Sequence, residues 1–197
     1  MSIALLVFVV TIAISLVALY GSPGLRERLA FHPYRVGRGK EWYTLVTHGF
    51  VHADLAHLAF NMMTYWFFAF ALERVVGRAA FAVLYFVALV ASEIGPYRKH
   101  RQDPRYVTLG ASGAITAVLF ASIIYFPGSR LMIFPLPVPI PAPLFAVLYL
   151  VASAYADRQQ LGRINHGAHI GGALTGLLFV AVTDPRAYAQ LLRTVLG

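Results

Sequence analysis

The stretch 110-GASGAITAVLFASIIYF-126 begins with small residues and continues without a single charged side chain. A helix needs about 20 mostly apolar residues to cross a bilayer, and tilting or local thinning shortens that requirement. Five further segments share the same apolar character, at residues 3–20, 55–72, 79–94, 144–156 and 168–182. We therefore predict an all-α membrane protein that forms a bundle of six transmembrane helices.

The composition of the chain supports this class and excludes several others. The 197 residues are 59% hydrophobic and only 12% charged, whereas a soluble domain has about 25% charged residues. The absence of cysteine excludes a disulfide framework, a thiolate metal site and a cysteine nucleophile. The net charge is +8, with basic residues in loops between apolar segments, which suits anionic lipid headgroups better than nucleic acid.

The pattern along the chain predicts one membrane domain over residues 1–197, with a folded first loop at about 21–51 and a short tail at about 184–197. The first loop is too rich in aromatic and apolar residues for a free linker. Prolines alternate with apolar residues from Pro135 to Pro143, and proline disfavours helix both at its own position and at the preceding residue. We predict a rigid extended connector there, with a PxxP ligand as the alternative.

A few polar side chains fall inside the predicted spans, where each must face a cavity or a partner. His57 and Asn61 stand four residues apart, so they share one helical face. They could donate hydrogen bonds into a common space, or they could simply be satisfied by backbone carbonyls of neighbouring helices.

Ser112 lies at the predicted first turn of its helix, where backbone N–H groups lack partners and the helix dipole favours negative charge. This position suits the stabilisation of an oxyanion, although a helix cap is the simpler alternative. Small residues recur every four positions in two helices and allow those helices to approach closely. These residues are Gly113, Ala117 and Ala121 in one helix and Ala168, Gly172 and Gly176 in the other.

Close packing of these two helices would bring Ser112 within reach of His169, which gives a nucleophile with its general base. His166 is a rival base, one helical turn earlier, and the spacing does not choose between the two histidines. No aspartate lies inside a predicted span, so a dyad is expected rather than a triad.

Three motifs, in this order along the chain, resemble the rhomboid family of intramembrane serine proteases. They are the run from His52 to Asn61, the sequence Gly110-Ala111-Ser112-Gly113, and the sequence Ala168-His169-Ile170-Gly171-Gly172. The resemblance covers nearly the whole chain and implies a rhomboid-like bundle.

The resemblance also implies roles for individual residues. Ser112 would be the nucleophile and His169 the general base, which resolves the choice against His166. His57 and Asn61 would help the Ser112 N–H to bind the oxyanion. The same oxyanion and substrate-binding region would include Gly110 and Ala111. No metal or cofactor is implied, and Glu73 would be a structural acid.

The resemblance further implies single-span membrane proteins as substrates, the lipid bilayer as surroundings, and no nucleic-acid partner. The compact core looks bacterial, so we expect the inner (cytoplasmic) membrane, with the active site open to the non-cytoplasmic side. A charge count favours the opposite orientation, because eleven basic residues share the side of the first loop and five lie on the other side. We follow the family orientation, since the first loop is expected to be a folded element.

Two positions depart from the family pattern. Tyr43 follows Trp42, where many relatives have arginine, and Thr116 stands where some relatives place an aromatic ring against the catalytic histidine. We therefore expect His169 to be held differently here.

Two other functional classes stay open at this point. A rhomboid-like protein could bind transmembrane helices without turnover. A small transporter or metal protein could use His48, His52 and His57, although HExxH is absent and no acidic or cysteine partner stands nearby in the sequence.

Overall fold

The computed structural model describes residues 1–133, 136–159 and 165–197. Pro135 and Arg163, which enter the connector and charge predictions, lie outside these ranges. The first helix, α1 (Ile3–Leu16), continues through a π-helical turn at Val17–Gly21. Three short helices then form the first loop: α2 (Pro23–Leu29), α3 (Pro33–Val36) and α4 (Thr44–Thr47), the last followed by a 3-10 turn at His48–Phe50.

Of the seven remaining helices that the structure describes, five lie on predicted apolar segments, and the two at Ile94–His100 and Arg186–Leu196 lie beyond them. The seven are α5 (Leu55–Val76), α6 (Arg78–Ser92), α7 (Ile94–His100), α8 (Ser112–Tyr125), α9 (Ala142–Gln159), α10 (His166–Thr183) and α11 (Arg186–Leu196). Within the described residues, four segments are long and apolar enough to cross a membrane: Ile3–Gly21, Leu55–Val76, Arg78–His100 and His166–Thr183. Helix α8 is a shorter apolar helix. The predicted membrane-embedded helical bundle is confirmed.

Helix α8 lies at the centre of the bundle, because every residue from Gly113 to Ile124 is buried. Its small residues let α5, α6 and α10 pack around it. The core on one flank of α8 is aromatic, with Tyr65 of α5 edge-on to Tyr85 of α6 at 5.8 Å between ring centroids. A bundle organised in this way presents the first residue of α8 to the space between its neighbours.

The first loop is folded, and two backbone connections tie it to the segment before α8. Phe31 and Thr108 form an antiparallel bridge in which each N–H donates to the other's carbonyl, at 2.9 and 3.0 Å. The Gly110 N–H donates to the His48 carbonyl at 2.9 Å. The loop therefore fixes the path of the chain as it enters the Gly-Ala-Ser-Gly turn.

The described part of the proline-rich connector up to Pro141 is extended as predicted, whereas Pro143 lies in the first turn of the next helix. The extended part also pairs with the preceding segment, which the all-α prediction did not include. Strand β1 (Arg130–Ile133) pairs antiparallel with β2 (Leu136–Pro141), with Leu131 opposite Ile140. A proline cannot donate to a ladder, so only the residues between the prolines of β2 can supply N–H groups to β1. The hairpin leads directly into α9.

Candidate active site

The candidate site begins where α8 and α10 cross with their backbones in contact. A Cβ atom added to Gly172 would overlap the carbonyl oxygen of Gly113, and one added to Gly176 would overlap that of Ala117. The two predicted stripes of small residues do therefore pack against each other. A Cβ added to Gly113 would also lie 3.5 Å from the Ala168 carbonyl. The neighbours of Ser112 and His169 thus meet at the crossing.

Ser112 is the first residue of α8, as predicted, and its side chain is half-buried. Among the residues that the structure describes, no group accepts the Ser112 N–H, and none forms a hydrogen bond with its hydroxyl. An unpartnered N–H at a helix N-terminus is suited to binding an oxyanion. The Ser112 carbonyl is occupied, since it accepts a bond from the Thr116 hydroxyl at 2.8 Å.

His169 lies in the first turn of α10, and its Nδ1 atom is 2.9 Å from the Tyr149 hydroxyl of α9. The two rings are stacked, with 6.2 Å between centroids and 23° between planes. The structure contains no direct Ser112–His169 hydrogen bond. Catalytic hydrogen bonds are often long in unliganded enzymes and tighten when substrate binds. His166 packs edge-on against His169 at 6.1 Å, so the rival base lies beside the same site.

Helix α10 is fixed at its start by Asn165. The Asn165 side-chain oxygen caps the helix by accepting the Ala168 N–H at 3.0 Å, and its amide donates to the Thr108 hydroxyl at 3.1 Å. One side chain therefore links the helix that carries His169 to the segment that leads into Ser112.

His57 and Asn61 lie on one face of α5, as predicted, but their side chains make different contacts. The His57 ring lies against Gly110, where an added Cβ would come within 2.7 Å of Cε1 and 2.9 Å of Nε2. Gly110 also has φ of +107°, so this turn requires glycine on two counts. Asn61 donates to the His57 carbonyl at 3.1 Å, a bond within α5 and not to a neighbouring helix.

His52 supports the turn from behind through a directed chain of hydrogen bonds. The Ser15 hydroxyl donates to the Phe50 carbonyl at 2.9 Å, so its oxygen is left to accept the Nδ1 proton of His52 at 2.8 Å. The His52 Nε2 is then a free acceptor, and it faces the Ala111 N–H at 3.5 Å. Burial lowers the pKa of His52 to about 3, and the electrostatic effect of the nearby His57 acts in the same direction. The His52 ring is therefore neutral at physiological pH.

His48 is buried against α6 rather than in an open cavity. Its Nδ1 is 2.8 Å from the Thr44 carbonyl, and its Nε2 is 3.6 Å from a Glu93 carboxylate oxygen. Burial lowers the pKa of the His48 ring to about 4. The Nδ1 atoms of His48 and His52 are both within 2.8 Å of an oxygen atom of the protein, Thr44 O and Ser15 Oγ respectively. Among the described residues, no group of three or more metal-ligating side chains is assembled.

Sequence reasoning missed three residues that shape this site. Tyr149 and Asn165 approach it from α9 and from the start of α10, and no local pattern ties either residue to His169 or Thr108. His52 entered the sequence analysis only as the first residue of a motif and as a candidate metal ligand. A tyrosine inside an otherwise apolar span was the one available signal for Tyr149, because a buried hydroxyl needs a partner.

Comparison with known proteins is consistent with these motifs. Residues 39–186 match the family model described as Rhomboid domain. The mitochondrial presenilin-associated rhomboid-like protein of Homo sapiens is 36% identical over 134 residues, which is 66% of this chain and 35% of that protein. The rhomboid protease GlpG of Yersinia pseudotuberculosis is 30% identical over 188 residues, covering 93% of this chain and 63% of GlpG.

A further relative is the mitochondrial Rhomboid protein 1 of Saccharomyces cerevisiae, which is 27% identical over 139 residues, or 69% of this chain and 40% of that protein. The chain spans between about a third and two thirds of the length of these relatives. The family model covers well over half of the chain. This chain is a membrane protein that belongs to the rhomboid family.

Proposed function

We propose that the chain is an intramembrane serine endopeptidase that hydrolyses peptide bonds in or near transmembrane segments. The observation that carries the proposal is the backbone contact of α8 with α10 at Gly113 and Gly172. This contact sets Ser112, whose N–H and hydroxyl have no partner within the described part of the chain, beside the helix of His169. Membership in a family that includes named proteases supports it.

In the proposed mechanism the Ser112 hydroxyl attacks the scissile carbonyl while His169 takes its proton. Negative charge on the carbonyl oxygen is met by the Ser112 N–H and by His57, whose ring lies against Gly110. His169 then protonates the leaving amine, and water hydrolyses the acyl-enzyme. Asn61 contributes by donating to the His57 carbonyl, and Gly110 and Ala111 shape the turn.

We propose single-span membrane proteins in the surrounding bilayer as substrates. Their segment must unwind locally, because a backbone amide inside a helix is shielded from attack.

We also propose that the site opens to the non-cytoplasmic side. The start of α1 lies at the end of the bundle opposite the site, so this orientation places the amino terminus on the cytoplasmic side. Digestion of an amino-terminal tag in sealed vesicles of known orientation tests this, and a tag exposed on the non-cytoplasmic face would contradict it. The bacterial inner membrane stays a prediction.

The first test compares wild type with Ser112→Ala and His169→Ala, each shown to be folded, on a model single-span substrate in proteoliposomes. We expect cleavage and fluorophosphonate labelling in wild type and neither in Ser112→Ala. Cleavage by Ser112→Ala at the wild-type rate would overturn the mechanism. If wild type neither cuts several substrates nor reacts with the probe, the non-catalytic rhomboid-like binding function replaces the proposed one.

A further inference from the structure

The ring that lies against His169 comes from α9, although α8 is the helix from which some rhomboids supply it. Tyr149 stacks on His169 and places its hydroxyl 2.9 Å from Nδ1. The same hydroxyl is 3.5 Å from the hydroxyl of Thr116, the residue that stands where those relatives have an aromatic ring. Ser153, one turn along α9, also interacts with the Tyr149 hydroxyl.

Counting protons fixes the direction of the contact between Thr116 and Tyr149. Thr116 has one hydroxyl hydrogen, and it is donated to the Ser112 carbonyl at 2.8 Å. Towards Tyr149 the Thr116 oxygen can therefore only accept. If Tyr149 donates its hydrogen to Thr116, its oxygen is left to accept the Nδ1 proton of His169. The Nε2 atom of His169 then carries the free lone pair.

We propose that Thr116 and Tyr149 are positioning residues that hold His169 in the tautomer with a proton on Nδ1 and a basic Nε2. This inference rests on the proposed function, in which Nε2 takes the proton from Ser112. The hydrogen-bond chain runs from the Ser112 carbonyl through Thr116 and Tyr149 to His169. It therefore orients the general base from the same turn of α8 that carries the nucleophile. A wrong tautomer at the base of a serine protease is costly even when its geometry is intact.

Three substitutions separate the hydrogen-bond chain from packing. Tyr149→Phe keeps the stacked ring and removes the hydroxyl, Thr116→Val keeps the side-chain shape and removes the acceptor, and Thr116→Ser restores a hydroxyl. Tyr155→Phe is the matched control, since Tyr155 lies on α9 but is 62% exposed at the outer face. The enzymes are compared in one proteoliposome composition, with thermal stability measured for each.

We expect Tyr149→Phe and Thr116→Val to lower kcat and the rate of fluorophosphonate labelling at Ser112 by about 10-fold, with KM within about 2-fold. Thr116→Ser and Tyr155→Phe should retain wild-type rates. Nitrogen NMR of protein with labelled histidine should show the Nδ1-protonated form of His169 in wild type and a mixture in Tyr149→Phe. A purely structural role would lower stability without changing the tautomer.

Equal labelling rates for wild type, Tyr149→Phe and Thr116→Val would overturn the inference while leaving the proposed function intact. An Nε2-protonated His169 in wild type would also overturn it. If wild type proves unreactive, the proposed function fails, and the tautomer of His169 in wild type and Tyr149→Phe still tests whether Tyr149 sets it. Should Tyr149→Phe fail to fold, Thr116→Val decides the same question.

Discussion

Three histidines near the Gly-Ala-Ser-Gly turn, His48, His52 and His169, each have an oxygen atom within 2.9 Å of Nδ1. His52 gives its Nδ1 proton to Ser15, which leaves Nε2 as an acceptor for the Ala111 N–H. A protonated His52 would instead direct a second N–H at Ala111. The neutral ring is therefore part of the structure of the turn, and its protonation should be felt as a loss of stability.

The first prediction concerns this pH dependence. The pKa of His52 is lowered to about 3 by burial, so the unfolded chain binds more protons than the folded one below pH 6.5. The contribution of the neutral His52 ring to the free energy of unfolding is then fully present above about pH 6.5. It falls by about 1.4 kcal/mol for each pH unit below that value, down to the pKa of the folded state. Chemical unfolding in detergent at pH 7 and pH 5 measures this. His52→Gln should show a shallower loss, and an unchanged slope would contradict the assignment.

The second prediction concerns Gly110. Alanine there would adopt a φ of +107° and press its Cβ to 2.7 Å from the His57 ring. The backbone strain costs about 1–3 kcal/mol, and the displaced ring leaves the oxyanion region. We expect Gly110→Ala to lower Ser112 labelling at least about 100-fold, as for loss of one oxyanion donor. Gly128→Ala is the control, because nothing lies within 4 Å of its added Cβ. Equal rates for the two variants would refute this role.

At the scale of elements, helix positions could be predicted because hydropathy is a local property. The two stripes of small residues, which begin at Gly113 and Ala168, also predicted the partner of α8, since small residues at a four-residue spacing mark a close crossing. The β hairpin and the approach of Tyr149 could not be predicted in the same way. They depend on the register between separate elements, which the spacing within one element does not determine.

The third prediction tests the α8–α10 crossing. Gly172→Ala forces a Cβ into the Gly113 carbonyl, and neither backbone can rotate away as a side chain can. We expect a loss of about 3 kcal/mol or more in the free energy of unfolding, at the upper end of overpacking effects. Gly95→Ala on α7 meets only an ordinary contact, the Gly167 carbonyl at 3.9 Å. That control should be neutral or slightly stabilising, and a similar loss in both would argue against the crossing.

The fourth prediction tests the cap of α10. Asn165→Ala removes the bond to the Ala168 N–H and the bond to Thr108. Loss of an N-cap costs about 0.5–2 kcal/mol, and release of Thr108 loosens the path into Ser112. We expect lower stability and slower Ser112 labelling. Asn165→Ser keeps a capping oxygen but is too short for Thr108, so it should recover stability and not rate. Recovery of both would show that Thr108 is not involved.

At the scale of the whole molecule, the candidate site and the contacts that fix the start of α1 lie at opposite ends of the bundle. Helix α8 has 14 residues and α5 has 22, which correspond to about 21 Å and 33 Å at 1.5 Å per residue. The loops that flank α8 must make up the difference, and the first loop holds one of them through Thr108 and Gly110. The candidate site lies at that end of the bundle, at the start of α5, α8 and α10.

Glu73 lies near the far end of α5 and caps the start of α1. Its carboxylate accepts the N–H groups of Ile3 at 2.6 Å and Ala4 at 3.2 Å, and it also accepts the Ser2 hydroxyl. The position of this acid could be predicted only through the family resemblance, because its partners are some 70 residues away in sequence. Its structural role is confirmed by these contacts.

The fifth prediction follows from this separation of the two ends. Glu73→Ala leaves the first N–H groups of α1 without an acceptor, and we expect a loss of about 2–4 kcal/mol from the removed charged hydrogen bonds. Because Ser112 and His57 lie at the opposite end, labelling per folded molecule at low temperature should stay within about 2-fold of wild type. Glu73→Gln keeps one acceptor oxygen and should recover part of the stability. A fall in labelling that exceeds the unfolded fraction would mean that the two ends are energetically coupled, and α5, which carries both Glu73 and His57, would be the element that couples them.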